Sequence, residues 1–202
     1  MPRKQREWFP GAAYHIMCRG NHRSEIYRDD DDRQVYLAVL KETLEKYPFY
    51  LLSYCLMSNH VHLHIETIDI DPGKIMKHLN MKYAIFFNNK YNFVGHLFQG
   101  RYRSETIETD SHNLQTSKYI HLNPVRANMA ERPLDYLWSS YREYLGQNKT
   151  GMVAKEKILG HFKTSSSRLY QQYVEREIEY ISTPANLATP ATPAKQEDQE
   201  DK

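Results

Sequence analysis

The segment His60-Val61-His62-Leu63-His64 places an imidazole at every second position. Side chains two apart on a β-strand share one face, so an extended conformation here aims all three rings the same way. Imidazole binds a wide range of divalent ions, and the spacing suits a metal site without naming its ion. A half-buried strand with a histidine-rich polar face has the same spacing and is about as common. Some sixty residues later Tyr119 and Asn123 stand four apart in Ser117-Lys118-Tyr119-Ile120-His121-Leu122-Asn123-Pro124. On a helix that spacing presents a phenol and an amide together, and Pro124 predicts a helix end just after Asn123. If that helix face lies across from His60 and His62, Asn123 adds an oxygen ligand and Tyr119 reaches whatever the metal holds. Such a constellation suits phosphoryl transfer, in which a divalent ion polarises a phosphate oxygen while a tyrosinate attacks phosphorus and holds it as an ester. Without the histidines, the Tyr and Asn pair reads as a packing residue and a C-terminal cap.

These groups need a scaffold, and the chain supplies a consistent one. Residues 12–18 read as a first strand, followed by the polar loop Arg19-Gly20-Asn21-His22-Arg23. Asp29 to Asp32 open a helix to about Lys46, with carboxylates at its positive end, where capping is the expected role. Residues 49–57 form an apolar strand, Ser58-Asn59 a turn, and residues 61–67 the histidine strand. A helix starts near Pro72 and runs to about Lys90, residues 101–108 alternate as a fourth strand, and Asp110 or Ser111 caps a helix to about Leu122. The order β-α-β-β-α-β-α predicts an α+β fold, the ferredoxin-like (RRM-like) split β-α-β sandwich with an antiparallel sheet. Its helices cover one face and leave the other free for a ligand. Two further helices are expected over residues 155–162 and 166–181, with Trp138 and Tyr141 anchoring them to the sheet. The expected organisation is a domain over residues 1–146, a helical extension over 147–182 and a disordered tail over 183–202, where Pro, Ala, Thr and acidic residues cannot build a core.

Composition narrows the class. With 202 residues and 40% hydrophobic content the chain can build one real core. No apolar run reaches the length of a membrane span and no signal-peptide pattern follows the basic N-terminus, which predicts a cytoplasmic protein. Cys18 and Cys55 lie in apolar strand patterns and read as reduced packing residues. Net charge is +2, and the tail carries two lysines against four carboxylates, which leaves +4 on the remainder. That is a mild basic bias. The sixteen tyrosines raise packing, base stacking and covalent catalysis together and select none of them.

The motifs YHIMCRGN, MSNHVHLHI, FQGRYRS, KYIHLNPVRA and WSSY, in this order between Tyr14 and Tyr144, resemble those of the HUH single-tyrosine transposases, which include the insertion-sequence transposases and the REP-associated tyrosine transposases. The resemblance implies that His60 and His62 bind Mg²⁺ or Mn²⁺, that Asn123 completes the metal site, and that Tyr119 is the nucleophile. His64 then stands outside the ligand set, as a supporting or DNA-contacting residue. It further implies a metal-dependent endonuclease and strand transferase for single-stranded or hairpin-flanked DNA, working through a 5′-phosphotyrosine link as a monomer or a homodimer. In a bacterial cell it would associate with the nucleoid when bound to DNA. Arg19, His22, Arg23, Arg101, Arg103 and Arg126 are the cations placed to hold phosphates, and Phe98 or Tyr102 is placed to stack a base. Two other readings stand beside this one. The same sandwich serves as a non-catalytic nucleic-acid-binding module, and His60, His62 and His64 together would make a zinc hydrolase.

Overall fold

A computed structural model describes residues 8–181. Strand β1 (Ala13–Arg19) leads to helix α1 (Asp30–Lys46). The hairpin strands β2 (Phe49–Leu56) and β3 (His60–Thr67) precede α2 (Pro72–Tyr91), and β4 (Arg103–Ile107) precedes α3 (Asp110–Arg126). Four shorter helices follow: α4 (Tyr141–Tyr144), α5 (Glu156–Leu159), α6 (Ser167–Glu175) and α7 (Ile178–Ile181). The sheet runs β2-β3-β1-β4 with every neighbouring pair antiparallel. This is the split β-α-β sandwich that the element order predicts.

Period-two alternation divides the sheet into two unlike faces. Ile16, Cys18, Tyr54, Leu56, Val61, Leu63 and Ile65 face α1 and α2, where they pack with Tyr36, Leu40, Ile75, Leu79 and Tyr83. Burying a side chain of this size contributes roughly 1.5–3 kcal/mol, so this face supplies much of the stability. Tyrosine turns out to be mainly a core residue: Tyr27, Tyr36, Tyr54, Tyr83, Tyr141, Tyr144 and Tyr170 are all less than 2% exposed. Several reach a backbone acceptor, as Tyr144 does at the Leu52 carbonyl, 2.6 Å away. Both cysteines are free and buried. The acidic run does cap α1. Asp29 accepts from the Asp32 amide at 2.8 Å, and Lys90 pairs with Asp29 at 2.7 Å and Asp32 at 2.8 Å.

The second face departs from expectation. It is not left free, because α3 lies across β2 and β3. The C-terminal helices close over the same side, where Leu52 and Leu122 share a cluster with Tyr141, Tyr144, Ile158, Tyr170 and Val174. A sheet face carrying Leu52 and Cys55 needs cover, and α3 presents Ile120 and Leu122 to provide it. Among the described residues, the β1 and β4 side of this face stays open. Helix α3 also continues one turn past its predicted end, through Pro124 to Arg126. Proline removes one amide donor and crowds the carbonyl four residues back, a disturbance that a final turn tolerates. The expected helix over residues 166–181 is split into α6 and α7 at Arg176-Glu177. The tail expected from Thr183 lies outside the described residues.

Candidate active site

Cross-strand register assembles the site. Arg19 stands opposite His60, Met17 opposite His62 and His15 opposite His64, while Arg103 and Glu105 of β4 pair with Met17 and His15. Directly opposed residues share a face, so the histidine array is extended sideways by His15, Met17, Arg19, Arg103 and Glu105. Helix α3 crosses above it. The Tyr119 ring stands edge-on to His62 at 5.7 Å between centroids and to His15 at 5.8 Å. The rings of His60 and His62 are 4.8 Å apart.

Hydrogen bonds separate the three histidines by role. Asn59 donates its amide to the Arg23 carbonyl at 3.1 Å, which orients its Oδ1 toward His60 Nδ1 at 2.7 Å. An amide oxygen only accepts, so His60 carries its proton on Nδ1 and keeps a lone pair on Nε2. His62 Nδ1 meets His15 Nε2 at 2.8 Å. Among the described residues no hydrogen bond occupies Nε2 of His60 or of His62. His64 is held the other way round: its Nε2 donates to Asn113 Oδ1 on α3 at 2.8 Å, and its buried Nδ1 has no partner among the described residues. Fully buried, it touches no solvent and so pins α3 to the sheet. Desolvation pushes His60 down to about 4 and His64 to about 3, and holds His62 well below its usual value. All three are neutral at pH 7, the state in which imidazole binds metals.

Asn123 lies one turn beyond Tyr119 and is largely buried, with its Nδ2 donating to the Tyr119 carbonyl at 2.9 Å. Among the described residues no hydrogen bond occupies its Oδ1. Two imidazole nitrogens and one amide oxygen are a donor set suited to a hydrated divalent ion of the Mn²⁺ or Mg²⁺ type. Among the described residues no three His, Cys, Asp or Glu side chains form a metal cluster, which counts against a three-histidine zinc centre.

The open side holds two adjoining cavities. One of about 490 Å³ is lined by His15, His62, Arg103, Glu105, His112 and Tyr119 among others. Its neighbour, of about 160 Å³, is lined by Met17, Arg19, Gln99, Gly100, Arg101 and Arg103. Met17 and Arg103 belong to both. None of Arg19, Arg101 and Arg103 pairs with a carboxylate among the described residues. The loop carrying Arg19 is held by bonds from Gln99 to the Arg19 carbonyl and from Asn21 to the Leu97 carbonyl. Its turn is tight enough that a Cβ on Gly20 would sit 2.1 Å from the Ser24 carbonyl oxygen. His22 and Arg23 occupy an exposed turn with φ of 51° and 60°, and line neither cavity. Arg126 is placed differently from the other arginines, over the Tyr119 ring at 5.0 Å and paired with Glu177, which also binds Lys118 at 2.7 Å. Tyr102 belongs to the buried core, whereas Phe98 packs against that core near Tyr83 and stays partly exposed.

His15 and Glu105 line the cavity beside His62 and Tyr119, and motif spacing missed both. The signal was present in the alternation of β1, where His15, Met17 and Arg19 must share a face, and of β4, where Arg103 and Glu105 must, but it needed the strand pairing to say which face.

Comparison with known proteins agrees with this fold. Residues 9–123 match the family model described as "Transposase IS200 like". A curated protein of Haemophilus influenzae, named for the REP-associated tyrosine transposases, is 24% identical over 153 residues, covering 70% of this chain and 86% of that one. The solved structure of a REP-associated tyrosine transposase bound to a REP hairpin superposes with a TM-score of 0.62 at 16% identity, covering 77% of this chain and 90% of that one. Among the described residues no helix is long and apolar enough to cross a membrane. The chain belongs to the IS200-like transposases, a family of DNA-processing enzymes.

Proposed function

We propose that the protein cleaves and rejoins single-stranded DNA next to hairpins, with Tyr119 as the nucleophile. The observation that carries this reading is the Tyr119 ring standing against His62 on the open side of the sheet. The Tyr119 Oη attacks a backbone phosphorus, the P–O3′ bond breaks, and the phenolic proton is balanced by protonation of the departing 3′ oxygen. A 5′-phosphotyrosine ester and a free 3′-OH result. One phosphate ester replaces another, so the 3′-OH of the same or another strand can reverse the step without an external energy source.

His60 Nε2, His62 Nε2 and Asn123 Oδ1 would hold the divalent ion. When bound, the ion supplies charge neutralisation at the phosphate oxygens and alignment of the scissile bond. The chain supplies the rest: Asn59 fixes His60, His64 and Asn113 fix α3 over β3, and Arg19, Arg101 and Arg103 line a path for the strand's phosphates. Arg126, poised over Tyr119, steadies the phenol and adds a cation beside the reacting phosphate. His22 and Arg23 lie at the periphery, suited to the hairpin backbone. The H. influenzae relative and the hairpin-bound homologue support DNA of this kind as the partner.

Incubation with a hairpin-bearing single strand and Mn²⁺ is expected to give a protein–DNA adduct that survives denaturing electrophoresis and is abolished by chelator. A strand cleaved with no adduct would sink the reading in favour of an activated water. Binding without any cleavage under these conditions would favour the non-catalytic module. Replacing Arg19 and Arg103 together by Ala should weaken binding to all sequences alike. It should also reduce the slope of log K against log salt by roughly 0.7 for each lost phosphate contact on a single strand. An unchanged slope would remove these arginines from the DNA path.

A further inference from the structure

We propose that His15 is a positioning residue that sets the tautomer and plane of His62 for cation binding, an inference that rests on the metal reading above. His15 and His62 are diagonal neighbours across the β1–β3 pair, since His15 opposes His64 and His62 opposes Met17. Their ring planes differ by 21°, with centroids 5.1 Å apart, and the contact between Nε2 of His15 and Nδ1 of His62 is 2.8 Å. Rings that nearly share a plane and touch nitrogen to nitrogen are joined edge to edge by a hydrogen bond rather than stacked face to face.

That bond carries one proton. If it belongs to His62 Nδ1, His15 accepts and His62 Nε2 keeps the lone pair that a cation requires. If it belongs to His15, then His62 Nε2 carries its own proton and is closed to metal. A cation therefore selects His15 as acceptor, and His15 in return holds His62 in the binding tautomer. His60 already has the equivalent device in Asn59, whose oxygen accepts from His60 Nδ1 at 2.7 Å. His64 lacks it, because its Nδ1 is unpartnered and its Nε2 is spent on Asn113. The two histidines with a supported Nδ1 are the two whose Nε2 is unspent. Outer partners of this kind typically change metal affinity by roughly 10–100-fold when removed. A second use of the same ring follows from its contact with Tyr119, whose edge it meets at 5.8 Å. His15 thus fixes the gap between ligand and nucleophile.

The test is Mn²⁺ affinity of the whole chain, measured from the loss of the free-ion electron paramagnetic resonance signal, in the absence of DNA. His15→Phe keeps a planar ring and removes the acceptor, and should weaken Mn²⁺ binding roughly 10–100-fold. His15→Gln returns an oxygen acceptor and should recover most of the loss. Nitrogen-15 spectra of the metal-free wild-type protein, which need no variant to fold, should show His62 protonated on Nδ1. A His62 protonated on Nε2 would overturn the inference, as would a His15→Phe protein with wild-type affinity or a loss that Gln does not rescue. A folded wild-type protein that binds no Mn²⁺ would instead overturn the metal reading, and His15's role with it. The first set of failures leaves Mn²⁺ bound to the wild type, so the two are distinguishable.

Discussion

Tyr119→Phe is expected to abolish the protein–DNA adduct and to lower strand cleavage by on the order of 10³-fold or more, while leaving hairpin affinity within a few fold of wild type. The phenyl ring preserves the edge-on contacts with His62 and His15 and the cation above it at Arg126. Only the phenolic oxygen is lost. No hydrogen bond to that oxygen holds the fold together among the described residues, so stability should change little. A gel assay for the adduct and fluorescence anisotropy for binding separate the two quantities. Cleavage that persists in the variant would transfer the nucleophile to water or to another side chain. The same variant also reads how the site is assembled. Tyr119 stands by the histidines of its own chain, and an equal mixture of Tyr119→Phe and His62→Ala proteins should therefore remain inactive. Restored activity in the mixture would mean that α3 serves a second copy.

How much of this was legible in the residues depends on whether local spacing or long-range pairing fixes the feature. The histidine strand was legible because period two is intrinsic to an extended chain, and the Tyr119 and Asn123 pair because i and i+4 meet on any helix. The element order similarly fixed the sheet, since few topologies accommodate it. His15 was not legible as a partner of His62, because its contact depends on a register between β1 and β3 that spacing alone leaves open. The covering of the second sheet face was hidden for a related reason. The aromatic pattern around Tyr141, Tyr144 and Tyr170 announces burial without saying where, and only packing shows that these rings close over α3. Arg126 looked like any other cation in a motif. Its pairing with Glu177, fifty-one residues on, changes its placement and leaves it over the Tyr119 ring. Pro124 misled in the opposite sense, since a local rule predicted a stop that the last turn of α3 does not obey.

His121→Ala should cost about 3–5 kcal/mol of folding stability, a large part of the total for a domain of this size. The imidazole, carried by α3, is fully buried against the rings of Tyr141 and Tyr144 on α4 and Tyr170 on α6. Its Nδ1 meets the Tyr170 hydroxyl at 2.7 Å and its Nε2 meets Ser140 Oγ at 2.8 Å. Tyr170 in turn bonds Ser117 at 2.7 Å, and Ser140 accepts from the Tyr54 amide on β2 at 2.9 Å. Deleting the ring takes one of the Tyr170 hydroxyl's two partners, removes the bond to Ser140 and opens a cavity, so the transfer and hydrogen-bond losses add. His121→Asn, which keeps a polar group near Nδ1, should cost less. Acid acts on the same group. Burial pushes His121 from its usual 6.5 down to about 3, so the unfolded chain takes up a proton that the folded one refuses. Its contribution is complete above about pH 6.5 and is lost as the pH falls toward 3, amounting to about 2 kcal/mol by pH 5. Urea denaturation at pH 8 and at pH 5 should therefore show the wild-type protein losing about 2 kcal/mol more than His121→Asn over that interval. Equal losses in the two proteins would mean that the ring is not held neutral. Because His121 sits two residues after Tyr119 on α3, loosening this network also frees the helix that carries Tyr119. Adduct formation in His121→Asn should then fall more steeply with temperature than it does in the wild type.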